Sequence, residues 1–209
     1  MLVLKLVEAL DPALVPCTVG ARLGDGADGE VFEIVGEPDK VIKFCVLYET
    51  GSIKLENRYN YICRVVYHLL QNPSPVFARV FAHKFLGSHS RVAWGNKQQR
   101  YFLYYYTMEK LQKISDDERK VFDSIISHED RNKKKNFSLD KIKEMLSGMS
   151  QGLDFDTSKV IFFCENFRKS PVTHLDIHPR NIMKDNTGNF KLIDFDRAEI
   201  SHGKECKED

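Results

Sequence analysis

The sequence has almost no excess charge of either sign. Its 209 residues carry 31 lysines and arginines against 30 aspartates and glutamates, which gives a formal net charge of +1. A protein held to nucleic acid or to a membrane surface by bulk charge is normally far from neutral. We therefore expect neither nucleic acid nor a membrane among its partners. Long apolar runs are missing too, because the longest stretches, 101–108 and 160–164, fall well below the roughly 20 residues that span a bilayer.

Cysteine is scarce and scattered. The five cysteines include no C-x-x-C pair, so a disulfide framework or a zinc site is not expected. Isolated thiols suit a reducing compartment, and we expect a cytoplasmic location. With 42% hydrophobic and 29% charged residues, the composition is that of a globular protein and excludes a disordered chain.

The first half of the sequence predicts a five-stranded sheet with one helix. A glycine-rich turn at 24–29 separates two β-prone segments, which indicates a hairpin. Three more β-prone runs follow. One helix is predicted over 52–70, because its apolar residues recur every three or four positions. The five predicted strands cover 18–23, 30–35, 40–46, 76–86 and 100–108.

The second half is predicted to be mainly helical until the last thirty or so residues. Ser115 and Glu118 have the spacing of a capping box, in which each side chain binds the other residue's free backbone N–H, so a helix should begin there. Apolar spacing indicates two further helices, near 139–146 and 160–167. The basic run 131–136 contains no aromatic residues, and we interpret it as a solvated loop. A final hairpin is predicted around the turn 185–189.

Two features of the first half could bind phosphate. Gly24, Gly26 and Gly29 lie in a turn where backbone N–H groups can approach phosphate oxygens. A strand follows them, whereas a dinucleotide-binding fold needs a helix there, so a covering loop is favoured. Lys43 lies within an apolar strand and must either reach solvent or meet an anion. Glu56, in the predicted helix, is the candidate carboxylate to hold it, and Glu49 is the alternative.

Three polar residues near the end of the sequence could support phosphoryl transfer. Asp176 could accept a proton from an attacking hydroxyl, and Asn181, five residues later, could offer its amide oxygen to a divalent cation. Asp194 follows a short strand and supplies a second oxygen ligand suited to Mg²⁺. The predicted hairpin between them would bring Asn181 and Asp194 close together.

The combination H-x-D-x-x-x-x-N followed by apolar-D-F resembles the protein-kinase-like superfamily. The resemblance implies an α+β, bilobal fold. Its N-lobe, over 1–108, would be a five-stranded antiparallel sheet with one helix, followed by a hinge over 109–112 and a reduced, mainly helical C-lobe over 113–209. It also implies ATP and Mg²⁺ as cofactors and a phosphotransferase acting on a hydroxyl acceptor.

The resemblance implies a role for each matching residue. Asp176 would be the catalytic aspartate, and His174 would brace the loop that carries it. Asn181 and Asp194 would hold the metal, while Lys43 would bind the α- and β-phosphates. The remaining nucleotide contacts would come from Gly24, Gly26, Gly29, Val31, Glu56, the gatekeeper Met108, and the hinge backbone of Glu109 to Leu111.

The acceptor and the class of activity stay open among three alternatives. Asp176 and Asp194 lie 18 positions apart, a spacing typical of protein kinases, which favours a protein hydroxyl. His178 and Asp196 instead resemble the HPxN and DFDR forms of aminoglycoside and lipopolysaccharide sugar kinases, which favours a small molecule. Only 13 residues follow Asp196, so we expect no activation segment, and a nucleotide-binding regulator is the third alternative.

Overall fold

The described part of the chain divides into two units. A computed structural model describes residues 3–26, 28–49, 54–92, 98–128, 139–149 and 156–200. The first unit comprises Met1–Asn72 and Arg79–Lys110, and the second comprises Pro73–Ala78 and Leu111–Asp209. The division after Lys110 falls within the segment 109–112. The basic run 131–136 lies outside the described residues.

The first unit is built on a five-stranded antiparallel sheet. The strands are β1 (Val19–Asp25), β2 (Gly29–Ile34), β3 (Glu37–Tyr48), β4 (Val80–Val92) and β5 (Gln98–Glu109), and two helices, α1 (Val3–Leu10) and α2 (Leu55–Gln71), accompany them. The spatial order is β1-β2-β3-β5-β4. The predicted α+β class and the five-stranded antiparallel sheet are confirmed.

Helix α1 corrects the expectation of a single helix in this region. Val3 and Val7 are buried on one face of the sheet together with Ile42 and Phe44. The carboxylate of Glu30 accepts the Leu4 N–H at 3.1 Å, so a strand residue satisfies one of the free N–H groups in the first turn of the helix. The helix therefore depends on partners that lie 20 or more residues away in sequence.

Helix α2, which the apolar spacing predicted, covers the opposite face of the sheet. Leu55, Ile62, Val66 and Leu69 are buried. The ring of Tyr59 contacts several aromatic rings of the sheet, including Tyr104 at 5.5 Å between ring centroids. This packing fixes which face of β3 and β5 lies beneath the helix.

The second unit contains the helices α3 (Asp116–His128), α4 (Leu139–Met149) and α5 (Thr157–Lys169). The capping box forms as predicted, because the Ser115 N–H donates to Glu118 at 2.6 Å and the Glu118 N–H donates to Ser115 Oγ at 3.2 Å. Helix α5 buries its predicted apolar face. Among the helices of the described residues, none is long and apolar enough to cross a membrane.

Short strands frame the end of the second unit. They are β6 (Gln112–Lys113), β7 (Val172–His174), β8 (Ile182–Lys184), β9 (Phe190–Leu192) and β10 (Ala198–Ile200). Strands β8 and β9 form the predicted hairpin, and β7 pairs with β10. The predicted strand 76–86 begins late, at Val80. Its first residues join the second unit instead, since Ala78 N–H donates to the Leu192 carbonyl at 2.9 Å.

Candidate active site

His174 lies at the centre of the polar residues in the second unit. It ends β7, and its side chain is almost fully buried. Its Nε2 lies 3.0 Å from the carbonyl oxygen of Ile193 and 2.8 Å from that of Asp194. On the other side of the ring, Nδ1 accepts the N–H of Asp176 at 3.2 Å. One imidazole therefore ties the backbone of Asp176 to the backbone of Asp194.

These contacts define the protonation state of His174. Two carbonyl oxygens around Nε2 require a proton there, and an N–H directed at Nδ1 requires a lone pair. Burial lowers the pKa of His174, although the carbonyl contacts act in the opposite direction. The neutral form with its proton on Nε2 satisfies all three contacts.

Asn181 forms the second link to Asp176. It is buried in a 3-10 turn that begins at Pro179, and its Nδ2 donates to the Asp176 carbonyl at 3.1 Å. This hydrogen bond uses the amide nitrogen, so the amide oxygen Oδ1 points away from the Asp176 carbonyl. The side chain that was predicted as a metal ligand thus also fixes the loop that carries Asp176.

Asp194 is held at the end of the β8–β9 hairpin. The Ile193 N–H donates to the Asn181 carbonyl at 2.9 Å, so the hairpin brings the backbones at 181 and 193 into contact. Asp194 itself has φ 66° and ψ 74°, and among the described residues it is the only non-glycine with positive φ. The left-handed conformation costs about 1–2 kcal/mol for an L-residue, and aspartate tolerates it better than most.

The donor set suits Mg²⁺ better than a transition metal. Asn181 and Asp194 offer amide and carboxylate oxygens, and Mg²⁺ is commonly bound through one or two such groups plus water and substrate phosphates. Within the described residues, no three His, Cys, Asp or Glu side chains converge on one point. The residues present therefore fit a metal held mainly by substrate and water.

Lys43 lies in the first unit, on the face of the sheet that α2 covers. It is 7% exposed and pairs with Val31 of β2 and Tyr106 of β5. Its Nζ lies 5.7 Å from the centroid of the Tyr106 ring, within range of a cation–π contact. A charged amine in such surroundings is costly to desolvate, which favours an anionic partner.

The carboxylate of Glu56 binds a partner other than Lys43, the residue that the sequence predicted. It lies in the first turn of α2, 47% exposed, and its carboxylate binds Arg100 at 2.8 Å. This contact helps to lower the pKa of Glu56, behind a larger contribution from its own backbone N–H. Glu49, the alternative candidate, is exposed just after β3. The cation beside the helix is Arg100, near the start of β5. Its position there could not be predicted from the sequence alone.

The glycine turn has a structural component. A Cβ at Gly29 would overlap the carbonyl oxygen of Phe44 on the neighbouring strand, whereas Gly24 and Gly26 have open space around them. The close packing of β2 against β3 therefore requires Gly29. Only Gly24 and Gly26 remain unexplained by packing.

Two of the acidic residues in this hairpin form ion pairs with Arg22. Its guanidinium lies 3.0 Å from the Asp25 carboxylate and 3.0 Å from that of Glu30. Glu30 is buried and also binds the first turn of α1. Negative charge beside a phosphate-binding turn would be unfavourable, and these ion pairs reduce it.

The segment after β5 is partly hydrogen-bonded within the first unit. Met108 is buried and pairs with Val41. The N–H of Glu109 donates to Arg79 and that of Lys110 to Asp39, at 2.9 and 2.8 Å. Both N–H groups are thus bonded within the first unit, so of the three described residues 109–111 we take Leu111 as the candidate hinge donor.

No protein-family model and no curated protein sequence matches the chain. Solved structures similar to it include WbdD at 2.2 Å, with 18% identity over 87% of this chain and 33% of that chain and a TM-score of 0.39. Another structure describes WbdD as a bifunctional kinase-methyltransferase and gives 18% identity, 83% and 30% coverage and a TM-score of 0.37. A Stt7 homolog from Micromonas algae soaked with ATP gives 18% identity, 86% and 49% coverage and a TM-score of 0.47. The chain thus spans about a third to a half of the length of these proteins.

Proposed function

We propose that this chain is an ATP- and Mg²⁺-dependent phosphotransferase that moves the γ-phosphoryl group of ATP to a hydroxyl held against Asp176. One observation carries the proposal: His174 and Asn181 bind the backbone on both sides of the site, at Asp176 and at Asp194. Asp176, the proposed proton acceptor, and the two proposed metal ligands, Asn181 and Asp194, are thereby held by hydrogen bonds from neutral, buried side chains. A fold that merely needed a stable loop does not require an aspartate, an amide and a second aspartate with the oxygen atoms that phosphoryl transfer uses.

The roles follow from the chemistry of each side chain. Asp176 accepts the proton of the attacking hydroxyl, and Asn181 and Asp194 hold the metal. When bound, Mg²⁺ supplies charge neutralisation on the phosphate oxygens. In the first unit, Lys43 contacts the α- and β-phosphates, and Gly24 and Gly26 allow backbone N–H groups to approach phosphate. The carbonyl of Glu109 and the N–H of Leu111, the first residue of the second unit after the division, hydrogen-bond the adenine. Catalysis of this kind is mainly positioning and charge stabilisation.

For the acceptor, we propose a protein hydroxyl, with a small hydroxyl compound as the second candidate. The 18-residue separation of Asp176 and Asp194 supports the former. The specific observation for the latter is that His178, the residue that resembles the HPxN form of small-molecule kinases, lies 3.9 Å from the Asp176 carboxylate. Labelled ATP offered with generic proteins, sugars and aminoglycosides separates the two.

The proposal is tested by ADP release in the presence of ATP and Mg²⁺. Asp176→Asn keeps the shape of the side chain but removes the proton acceptor, so turnover should fall by about 100-fold or more. Lys43→Met should also abolish turnover, because it removes the phosphate contact. Asp185→Asn is the matched control, since Asp185 only caps the β8–β9 turn through Thr187 and Asn189. Unchanged turnover in Asp176→Asn would contradict the proposal. ATP binding without transfer in the wild type would favour a nucleotide-binding regulator.

A further inference from the structure

The two carboxylate oxygens of Asp176 have different surroundings. Oδ2 lies 3.5 Å from Nη1 of Arg197 and 3.9 Å from Nε2 of His178. Oδ1 has no hydrogen-bond partner among the described residues. One oxygen thus faces a cation while the other is available to accept a proton.

The backbone of Arg197 is fixed to the same loop. Its carbonyl oxygen accepts the Leu175 N–H at 2.8 Å, and Ala198, the next residue, pairs with His174 across β7 and β10. These two contacts hold the backbone of Arg197 beside the two residues that precede Asp176. The side chain of Arg197 is 67% exposed, so the ion pair is formed at the surface by a residue whose backbone is fixed.

The ion pair between Arg197 and Asp176 is expected to add little to the stability of the fold. An exposed ion pair contributes about 0–1 kcal/mol to folding, and often nothing measurable. Orientation has a larger effect on catalysis, because misplacing a reacting group by about 1 Å can cost about 100-fold in rate. The contact is therefore expected to affect the orientation of the Asp176 carboxylate more than the stability of the fold.

We propose that Arg197 is a positioning residue, which holds Oδ2 of Asp176 so that Oδ1 faces the acceptor hydroxyl. The inference rests on the phosphotransferase function proposed above. Arginine suits the task because its guanidinium is always charged and planar, and it restrains both the position and the rotation of a carboxylate. Lysine would supply the charge as a single point and would restrain the rotation less.

The test is Mg²⁺-dependent hydrolysis of ATP with water as acceptor, which needs no knowledge of the physiological substrate. Arg197→Gln should lower kcat about tenfold, with the KM for ATP and the melting temperature unchanged. Arg197→Lys should recover part of the lost kcat. The control is Arg180→Gln, which removes the same charge from an exposed arginine on the same loop and should keep wild-type kcat.

Each outcome bears on one of the two proposals or on both. A kcat of Arg197→Gln within about twofold of the wild type would overturn the positioning role and leave the phosphotransferase intact. An equal fall in Arg180→Gln would also overturn it, because the effect would then be one of general charge. A rise in KM with unchanged kcat would assign Arg197 to nucleotide binding instead. Absence of any Mg²⁺-dependent ADP release from the wild type would overturn both proposals.

Discussion

At the scale of single residues, the candidate site depends on groups that have two tasks. In the proposed function, Asn181 offers its amide oxygen to the metal, and in the structure its amide nitrogen donates to the carbonyl of Asp176. His174 is uncharged and touches no reacting group, yet it binds the backbone at both aspartates. Such residues couple the local geometry to the chemistry. Replacing either one should disturb two ligands or catalytic groups together.

Gly29 provides a residue-scale prediction that separates packing from phosphate binding. Gly29→Ala should lower the free energy of unfolding by about 2–3 kcal/mol, because the new Cβ meets a backbone oxygen that cannot move independently. Gly24→Ala is the control and should unfold like the wild type, since nothing lies within 4 Å of its added carbon. Urea unfolding measures both. Equal stability of the two variants would show that β2 and β3 are not packed as described.

Residue pairings were the least predictable feature. The sequence predicted that Glu56 lies on a helix, which is correct, but its partner is Arg100, 44 residues later. That pairing depends on where β5 begins relative to α2, and local patterns contain no information on it. The acidic residues of the glycine hairpin are similarly unexplained by local patterns, because Arg22 meets both Asp25 and Glu30 only once β1 and β2 have paired.

At the scale of elements, α3 is fixed at its first turn. Ser115 and Glu118 satisfy each other's backbone N–H groups. Glu118 is also buried, and its carboxylate binds Lys184 of β8 at 2.9 Å. The helix start is therefore attached to the hairpin that leads from Asn181 to Asp194.

Ser115→Ala should destabilise the protein by about 1 kcal/mol, the usual effect of losing a capping side chain. The matched control is Ser124→Ala in the same helix, where the hydroxyl only donates to the Lys120 carbonyl four residues earlier. Alanine has a higher helix propensity, so the control should be neutral or slightly stabilising. Chemical denaturation of the two variants side by side gives the comparison. A loss of equal size in both would argue against a specific cap.

Elements with a strong local pattern were predicted well, and those without one were not. The spacing of Leu55, Ile62 and Leu69 was sufficient for α2, and the capping box located α3. Helix α1 has only eight residues, and isolated helices shorter than about 12–15 residues are marginal in water. Its stability comes from burial of Val3 and Val7 and from Glu30. These are tertiary effects, which a scan for local periodicity does not detect.

At the scale of the whole molecule, the proposed activity needs residues from both units. Lys43 and the glycine turn belong to the first, and Asp176, Asn181 and Asp194 belong to the second. The order of these residues along the chain favours phosphoryl transfer as the proposed activity, because each motif carries its own part of the chemistry. The acceptor cannot be derived in the same way, since it depends on surfaces around Asp176 rather than on the residues that carry the chemistry.

Because the proposed activity takes residues from both units, ATP is expected to change the stability of the whole protein. A ligand that binds only the folded state stabilises it by about 2.7 kcal/mol at 100 times its Kd, which corresponds to about 5–10 °C in melting temperature for a chain of this size. ATP with Mg²⁺ should therefore raise the melting temperature of the wild type, and chelating the metal should remove most of the shift. Thermal unfolding followed by circular dichroism measures it.

Three variants test which residues of each unit contribute to nucleotide binding. Lys43→Met, in the first unit, and Asp194→Asn, in the second, should each reduce the ATP-dependent shift, because one loses a phosphate contact and the other a metal ligand. Asp176→Asn should keep the shift while losing turnover, since its carboxylate acts on the acceptor and not on the nucleotide. If Asp194→Asn kept the full shift, the metal would have to be held elsewhere. If Asp176→Asn lost the shift, Asp176 would belong to the nucleotide site, and its role as proton acceptor would have to be abandoned.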